Sequence, residues 1–143
     1  MSRIVGGIHM GSKVSSFFYV AVIMLFSSLL LTGCSDYEKL DGVWDRGDIV
    51  VTFSNGSATF TQINSNSNWE KVRQNGSVRV GDKKFRYVSG SYPKWTAEEL
   101  TYDYSTYLVK GWEDCTITMD GDGQTITVYT PGASPTTTIY TKD

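Results

Sequence analysis

A chain of 143 residues with 13 basic and 15 acidic side chains has a formal net charge of −2. That length suits one modest domain after any targeting segment is removed. The mildly acidic balance excludes the strongly basic footprint of a nucleic-acid-binding protein.

The first element is apolar. Phe17 to Cys34 reads FFYVAVIMLFSSLLLTGC, with Arg3 and Lys13 upstream and no carboxylate before Asp36. A cationic start, an apolar middle and a small-residue processing site describe a secretory signal peptide. A spanning helix over Val14 to Thr32 is the competing reading, since about 20 apolar residues cross a bilayer. Against it, Ser27-Ser28 interrupts the run and Ser35-Asp36, not basic residues, follows it. Met10 also starts an adequate leader, because Lys13 alone supplies the charge.

The ending Leu31-Thr32-Gly33-Cys34 resembles the lipobox of bacterial lipoproteins. The resemblance implies cleavage before Cys34 and acylation of its thiol, hence a membrane partner and a cell-envelope address. More than one acyl chain is needed for stable attachment, at about 0.8 kcal/mol per buried methylene. With Ser35 rather than aspartate after the cysteine, the resemblance to enteric lipoproteins implies the outer membrane. The expected division is a signal peptide over 1–33, a lipidated cysteine and short tether over 34–39, and a folded domain over 40–143.

Loss of the 33-residue leader leaves 110 residues, and loss of Arg3 and Lys13 leaves 11 basic against 15 acidic residues, a net of −4. The only histidine, His9, leaves with the leader. Without it, neither a Ser-His-Asp nor a Cys-His arrangement assembles, and a zinc site of nitrogen and sulfur ligands is equally excluded. No catalytic residue, metal or cofactor is therefore expected. Cys115, with Cys34 taken by lipid, reads as a small buried hydrophobe on a strand.

Period-two alternation dominates the rest. Asp48 to Ser54 puts Ile49, Val51 and Phe53 on one face, and Asn55-Gly56 turns it into Ser57 to Ile63. Trp69 to Gln74 reads as a third strand, turned by Asn75-Gly76 into Ser77 to Val80, with Val78 and Val80 sharing a face. Lys83 to Ser89 follows, pairing Phe85 with Tyr87 on one face and Lys84 with Arg86 on the other. Thr96 to Leu100 matches a capping box, Thr96 with Glu99, and is the one predicted helix start. Thr101 to Lys110, Asp114 to Met119, Gln124 to Thr130 and Thr136 to Lys142 read as strands. The fold class is thus all-β: an antiparallel meander of about 8–9 short strands, removing its edges by curling into a barrel or a strongly bent sandwich.

Leu40-Asp41-Gly42-Val43-Trp44 ahead of this meander resembles the Gly-x-Trp opening of lipocalin-like (calycin) barrels. The resemblance implies a small barrel whose tryptophan plugs the closed end. The chain departs from that pattern in having Thr101-Tyr102-Asp103-Tyr104 for Thr-Asp-Tyr and no arginine after Arg86.

Two constellations are candidates for binding. Trp95, Tyr102, Tyr104, Tyr107 and Trp112 form an aromatic cluster suited to lining a cup for a small amphiphile; the bland alternative is that they fill the core. The segment Lys71 to Lys94 holds seven basic residues and one acid, and its Arg79, Lys84 and Arg86 suggest a stripe for anionic lipid or an acidic partner. The alternative there is a solvated exterior. Asp120-Gly-Asp-Gly123 is a turn, since an EF-hand would place glutamate where Pro131 stands. Glu98-Glu99 and Glu113-Asp114 point to opposite faces of their strands, which disfavours acid–base work. The expectation is a monomeric, non-enzymatic envelope lipoprotein that binds a small amphiphile or a partner protein. The alternative is a filled-core structural or inhibitory module acting through its basic surface.

Overall fold

Eight antiparallel strands pair in sequence order, and the last returns to the first. β1 (Gly42–Asp45), β2 (Ile49–Ser54), β3 (Ser57–Ile63), β4 (Lys83–Ser91), β5 (Lys94–Tyr102), β6 (Val109–Met119), β7 (Thr125–Thr130) and β8 (Thr136–Lys142) form a closed barrel. Closure is by β1 and β8, with Trp44 opposite Lys142 and Asp45 opposite Thr141. This computed structural model describes residues 36–143, so the leader, the lipobox and Cys34 lie outside the described residues. No helix among the described residues is long and apolar enough to cross a membrane.

The expected all-β barrel is therefore observed, and alternation is its cause. Ile49, Val51, Phe53, Ala58 and Phe60 face inward, as do Trp95, Ala97, Cys115, Ile117, Ile126 and Val128. Phe53 stacks on Phe85 with centroids 5.4 Å apart, and Phe85 meets Tyr140 edge-on. In the last strand the inward residue is Tyr140, while its neighbour Ile139 is exposed.

The chain enters at the end of the barrel that carries the 55–56, 92–93 and 120–124 turns. Asp36 donates its N–H to Gly90 O and accepts from Trp95 Nε1, each at 3.0 Å. A single 3-10 turn, Tyr37–Lys39, then packs Tyr37 against the core. The ordered fold thus begins upstream of Leu40, and the segment expected to be a tether is held to the barrel from Asp36. Trp44 is fully buried, its Nε1 donating to Leu40 O at 2.7 Å. Lys142 Nζ sits over its ring, 5.4 Å from the centroid.

Two segments fold otherwise than the sequence reading expects. Asn68–Gln74 is an α-helix, α1, not a strand. Ser67 is its N-cap, with Oγ accepting from Glu70 N at 3.0 Å, and Glu70 itself binds Arg73. Buried Trp69 and Val72, three apart, form its inner stripe. Residues 77–82 form no strand, and Val80 is exposed whereas Val78 is buried. Conversely, Thr96 to Leu100 lies inside β5, not in a helix. Its Trp95, Ala97 and Glu99 alternate inward, and ladders on both sides supply more backbone bonds than one helical turn would. β5 ends at Tyr102, leaving 103–108 as a loop rather than a strand running to Lys110.

Candidate functional site

The other end of the barrel holds a cavity of about 420 Å³, which we call the mouth cup. It is reached through the 46–48, 103–108 and 131–135 connections and through α1. Below it the barrel is filled by Phe53, Phe85 and Tyr140.

The floor is an ion pair that a β-bulge turns inward. Between β3 and β4 the register shifts, with Ala58 opposite Phe85 but Thr59 opposite Lys83. Lys84 is the extra residue, and both it and Phe85 are buried. A bulge re-aims a side chain in this way. Lys84 Nζ donates to Glu99 Oε1 at 2.7 Å and to Leu100 O at 2.6 Å, and lies 4.5 Å from the Trp69 ring centroid. Thr130 Oγ1 donates to the other carboxylate oxygen of Glu99.

Burial pushes the Lys84 ammonium below the ordinary lysine range, further than the facing carboxylate raises it. Burial also pushes the Glu99 carboxyl up. The charge and hydrogen bond of Lys84, the Thr130 hydroxyl and the charge of Arg46 outweigh that push and hold Glu99 below its usual range. Arg46, at the rim, grips Asp48 through Nε and Nη2. On the facing wall Lys110 binds Glu113. The strand register sets Glu113 directly opposite Glu99, a carboxylate juxtaposition that spacing within one strand does not reveal. Each of the two already holds a lysine.

One wall of the cup is aromatic. Tyr102 meets Trp69 edge-on with centroids 4.6 Å apart, and Tyr104 at 4.7 Å. Tyr107 stacks farther out on Tyr102, and Lys71 caps Tyr107 through its ring and hydroxyl. Burial and the neighbouring Tyr104 push the Tyr102 phenol up to about 12, so it stays neutral. Asp103 shapes the loop: Ser105 Oγ and the N–H groups of Ser105 and Thr106 donate to its carboxylate, holding it down to about 2.

Of the aromatic candidates, Tyr102, Tyr104 and Tyr107 therefore gather at the mouth, whereas Trp95 and Trp112 do not. Trp95 is core at the closed end. Trp112 lies on the outer wall, its ring 4.2 Å from Arg86 Cζ, while Arg86 Nε binds Glu98. Trp69 completes the mouth cluster, and the sequence signal for it was the capping box Ser67-x-x-Glu70. The expected basic stripe does not form, because Lys84 is inside the barrel and Arg86 is paired and stacked. Arg79 is exposed on the 77–82 connection, its N–H held by Asp82.

No group of three or more metal-ligating side chains occurs among the described residues. In the 120–123 turn the carboxylates accept from nearby backbone, Asp120 from Thr125 N and Asp122 from Gln124 N. Cys115 is buried, and burial pushes its thiol up to about 12.

These features define a small closed β-barrel, filled at one end and cupped at the other. No family model matches the chain, and neither a curated protein nor a solved structure matches it.

Proposed function

We propose that this chain is a bacterial envelope lipoprotein, cut before Cys34 and anchored through its acylated thiol, whose barrel binds a small ligand in the mouth cup and catalyses no reaction. The observation that carries the binding reading is a cavity of about 420 Å³ with an aromatic wall. That volume falls within the roughly 300–1,000 Å³ of small-molecule sites. The filled barrel beneath it favours a compact ligand over a long acyl tail. Every carboxylate and ammonium of the cup floor already has an internal partner, which favours binding over acid–base chemistry. Lys142 over Trp44 supports the lipocalin-like resemblance, since a cation covers the plugging tryptophan where that family has an arginine. Ser35 after the cysteine favours the outer membrane.

A thermal-shift screen of small-molecule envelope extract tests the binding reading. A rise in Tm for the parent protein that is lost in Tyr102→Ala/Tyr104→Ala supports it, and no rise from any fraction refutes it. The anchor is tested separately: mass spectrometry of membrane-purified protein is expected to find an acylated Cys34 at the N-terminus. The second reading, a surface-acting interaction module, is favoured by the filled lower barrel, but a surface stripe through Lys84 is no longer part of it.

A further inference from the structure

We propose that the mouth cup takes an uncharged, hydroxyl-rich ring, the end unit of a neutral glycan. This rests on the ligand-binding reading and names the ligand class for that same cup.

Three observations carry it. The first is charge balance. Arg46, Lys84 and Lys110 line the cup with Glu99, Asp103 and Glu113, three cations against three anions. None waits for a counter-ion: Arg46 holds Asp48, Lys84 holds Glu99, Lys110 holds Glu113, and Asp103 accepts from its own loop. A charged ligand entering here would lose its hydration and gain no opposite charge in return.

The second is the pattern of hydrogen-bonding capacity left over. Asp48 occupies Nε and Nη2 of Arg46 and leaves Nη1 as a donor. Carboxylate lone pairs remain on Glu113 beyond the bond from Lys110. Trp69 Nε1 and Thr138 Oγ1, both from residues lining the cup, are buried without a hydrogen-bond partner. Buried polar atoms are rarely left so. The cup lining thus offers both donors and acceptors, which suits hydroxyl groups, because each can donate and accept at once.

The third is shape. Tyr104 is 64% exposed beside Tyr102, offering a ring face at the rim, and the apolar face of a pyranose stacks on such a ring. Depth excludes the other amphiphiles: Phe85 and Tyr140 close the interior beneath the Lys84–Glu99 pair. A straight acyl chain has nowhere to run.

The test is calorimetry on the full-length membrane-purified protein in nanodiscs. The probes are cellobiose and N,N′-diacetylchitobiose as neutral disaccharides, glucose 6-phosphate as an anion, and octanoate as an acyl chain. The expected result is saturable binding of a neutral disaccharide with a Kd that does not change with added salt. Tyr104→Ala should weaken it about fivefold to tenfold, and Thr138→Val about fivefold. Both variants should keep the parent's Tm within a few degrees. Preference for glucose 6-phosphate or octanoate, lost in the same variants, would overturn the glycan assignment and leave the ligand-binding cup standing. Heat from none of the four probes would overturn the assignment as well, while the extract screen separately decides the cup.

Discussion

Lys84 Nζ lies 2.7 Å from Glu99 Oε1 inside the barrel, with both side chains almost wholly withdrawn from water. Two charges so placed hold each other's protonation states, and each is costly without the other. Lys84→Met should therefore destabilise the fold by about 3–5 kcal/mol, because it strands a buried carboxylate. The double variant Lys84→Met/Glu99→Leu should recover most of that loss. Urea unfolding of the two variants checks this, and equal losses would contradict it.

The same pair sets an acid limit. Glu99 titrates below its ordinary value in the folded protein, so the unfolded chain binds a proton first as pH falls. The stability it contributes is present above the ordinary carboxylate range, near 4.5, and is lost as pH drops from there through the lowered folded value. Lys84, depressed by burial, acts in the same direction at alkaline pH: the unfolded chain is more protonated there, so stability rises as pH climbs toward the ordinary lysine value of 10.5. Unfolding free energy against pH should be shallower at both ends in Lys84→Met/Glu99→Leu than in the parent.

Cys115 should behave as an inert thiol. Its ordinary value of 9.0 is pushed up to about 12, so almost no thiolate exists at neutral or mildly alkaline pH, and the sulfur is covered. A thiol-reactive dye is expected to label it at pH 8 only after urea unfolds the barrel. Labelling of the native protein at Cys115 would show the strand pair β5–β6 opening locally.

Ser67 caps the helix that holds Trp69 in place. Ser67→Ala should cost about 0.5–2 kcal/mol by removing the cap to Glu70 N. Ser67→Asp should recover the loss, since aspartate caps as well and suits the positive helix end. Denaturant midpoints of the three proteins decide the matter.

Gly90 turns at φ +125°, and a Cβ there would stand 2.8 Å from Lys94 O and 3.1 Å from Trp95 Cα. Backbone on both counts cannot step aside. Gly90→Ala should cost about 1–3 kcal/mol from the strained conformation alone, with the clash added. It should also loosen the N-terminal segment, because Gly90 O receives Asp36 N–H. Faster amide exchange at Asp36 in the variant is the measurement.

Two matches to the capping-box pattern show where local signals stop. Ser67-x-x-Glu70 starts α1, while Thr96-x-x-Glu99 lies in a strand. The four-residue pattern alone does not separate them. What separates them is the partner surface: β5 is an interior strand bonded on both sides, whereas 64–82 spans the mouth where no neighbour offers a ladder. Glu99 faces inward in step with Trp95 and Ala97, an alternation that the capping-box reading of Thr96 to Leu100 passed over. Lys84 was not legible as inward-facing, because a bulge reverses the face its number assigns.

The order of alternating apolar residues and hairpin turns such as Asn55-Gly56 by themselves determined an antiparallel β meander, since strands with one apolar face must bury it and cover their edges, whereas closure of β8 onto β1 was decided by tertiary pairing. The absence of histidine after residue 9 likewise followed from the sequence alone. Which end is filled and which is open was decided only in three dimensions. Trp95 and Tyr102 are seven residues apart on one strand, a rise of roughly 3.3 Å each, and so fall at opposite ends of the barrel. The register shift at Ala58 and Phe85 then placed a lysine where a surface charge was expected, because pairing across strands, not position along one, sets the direction of a side chain at a bulge.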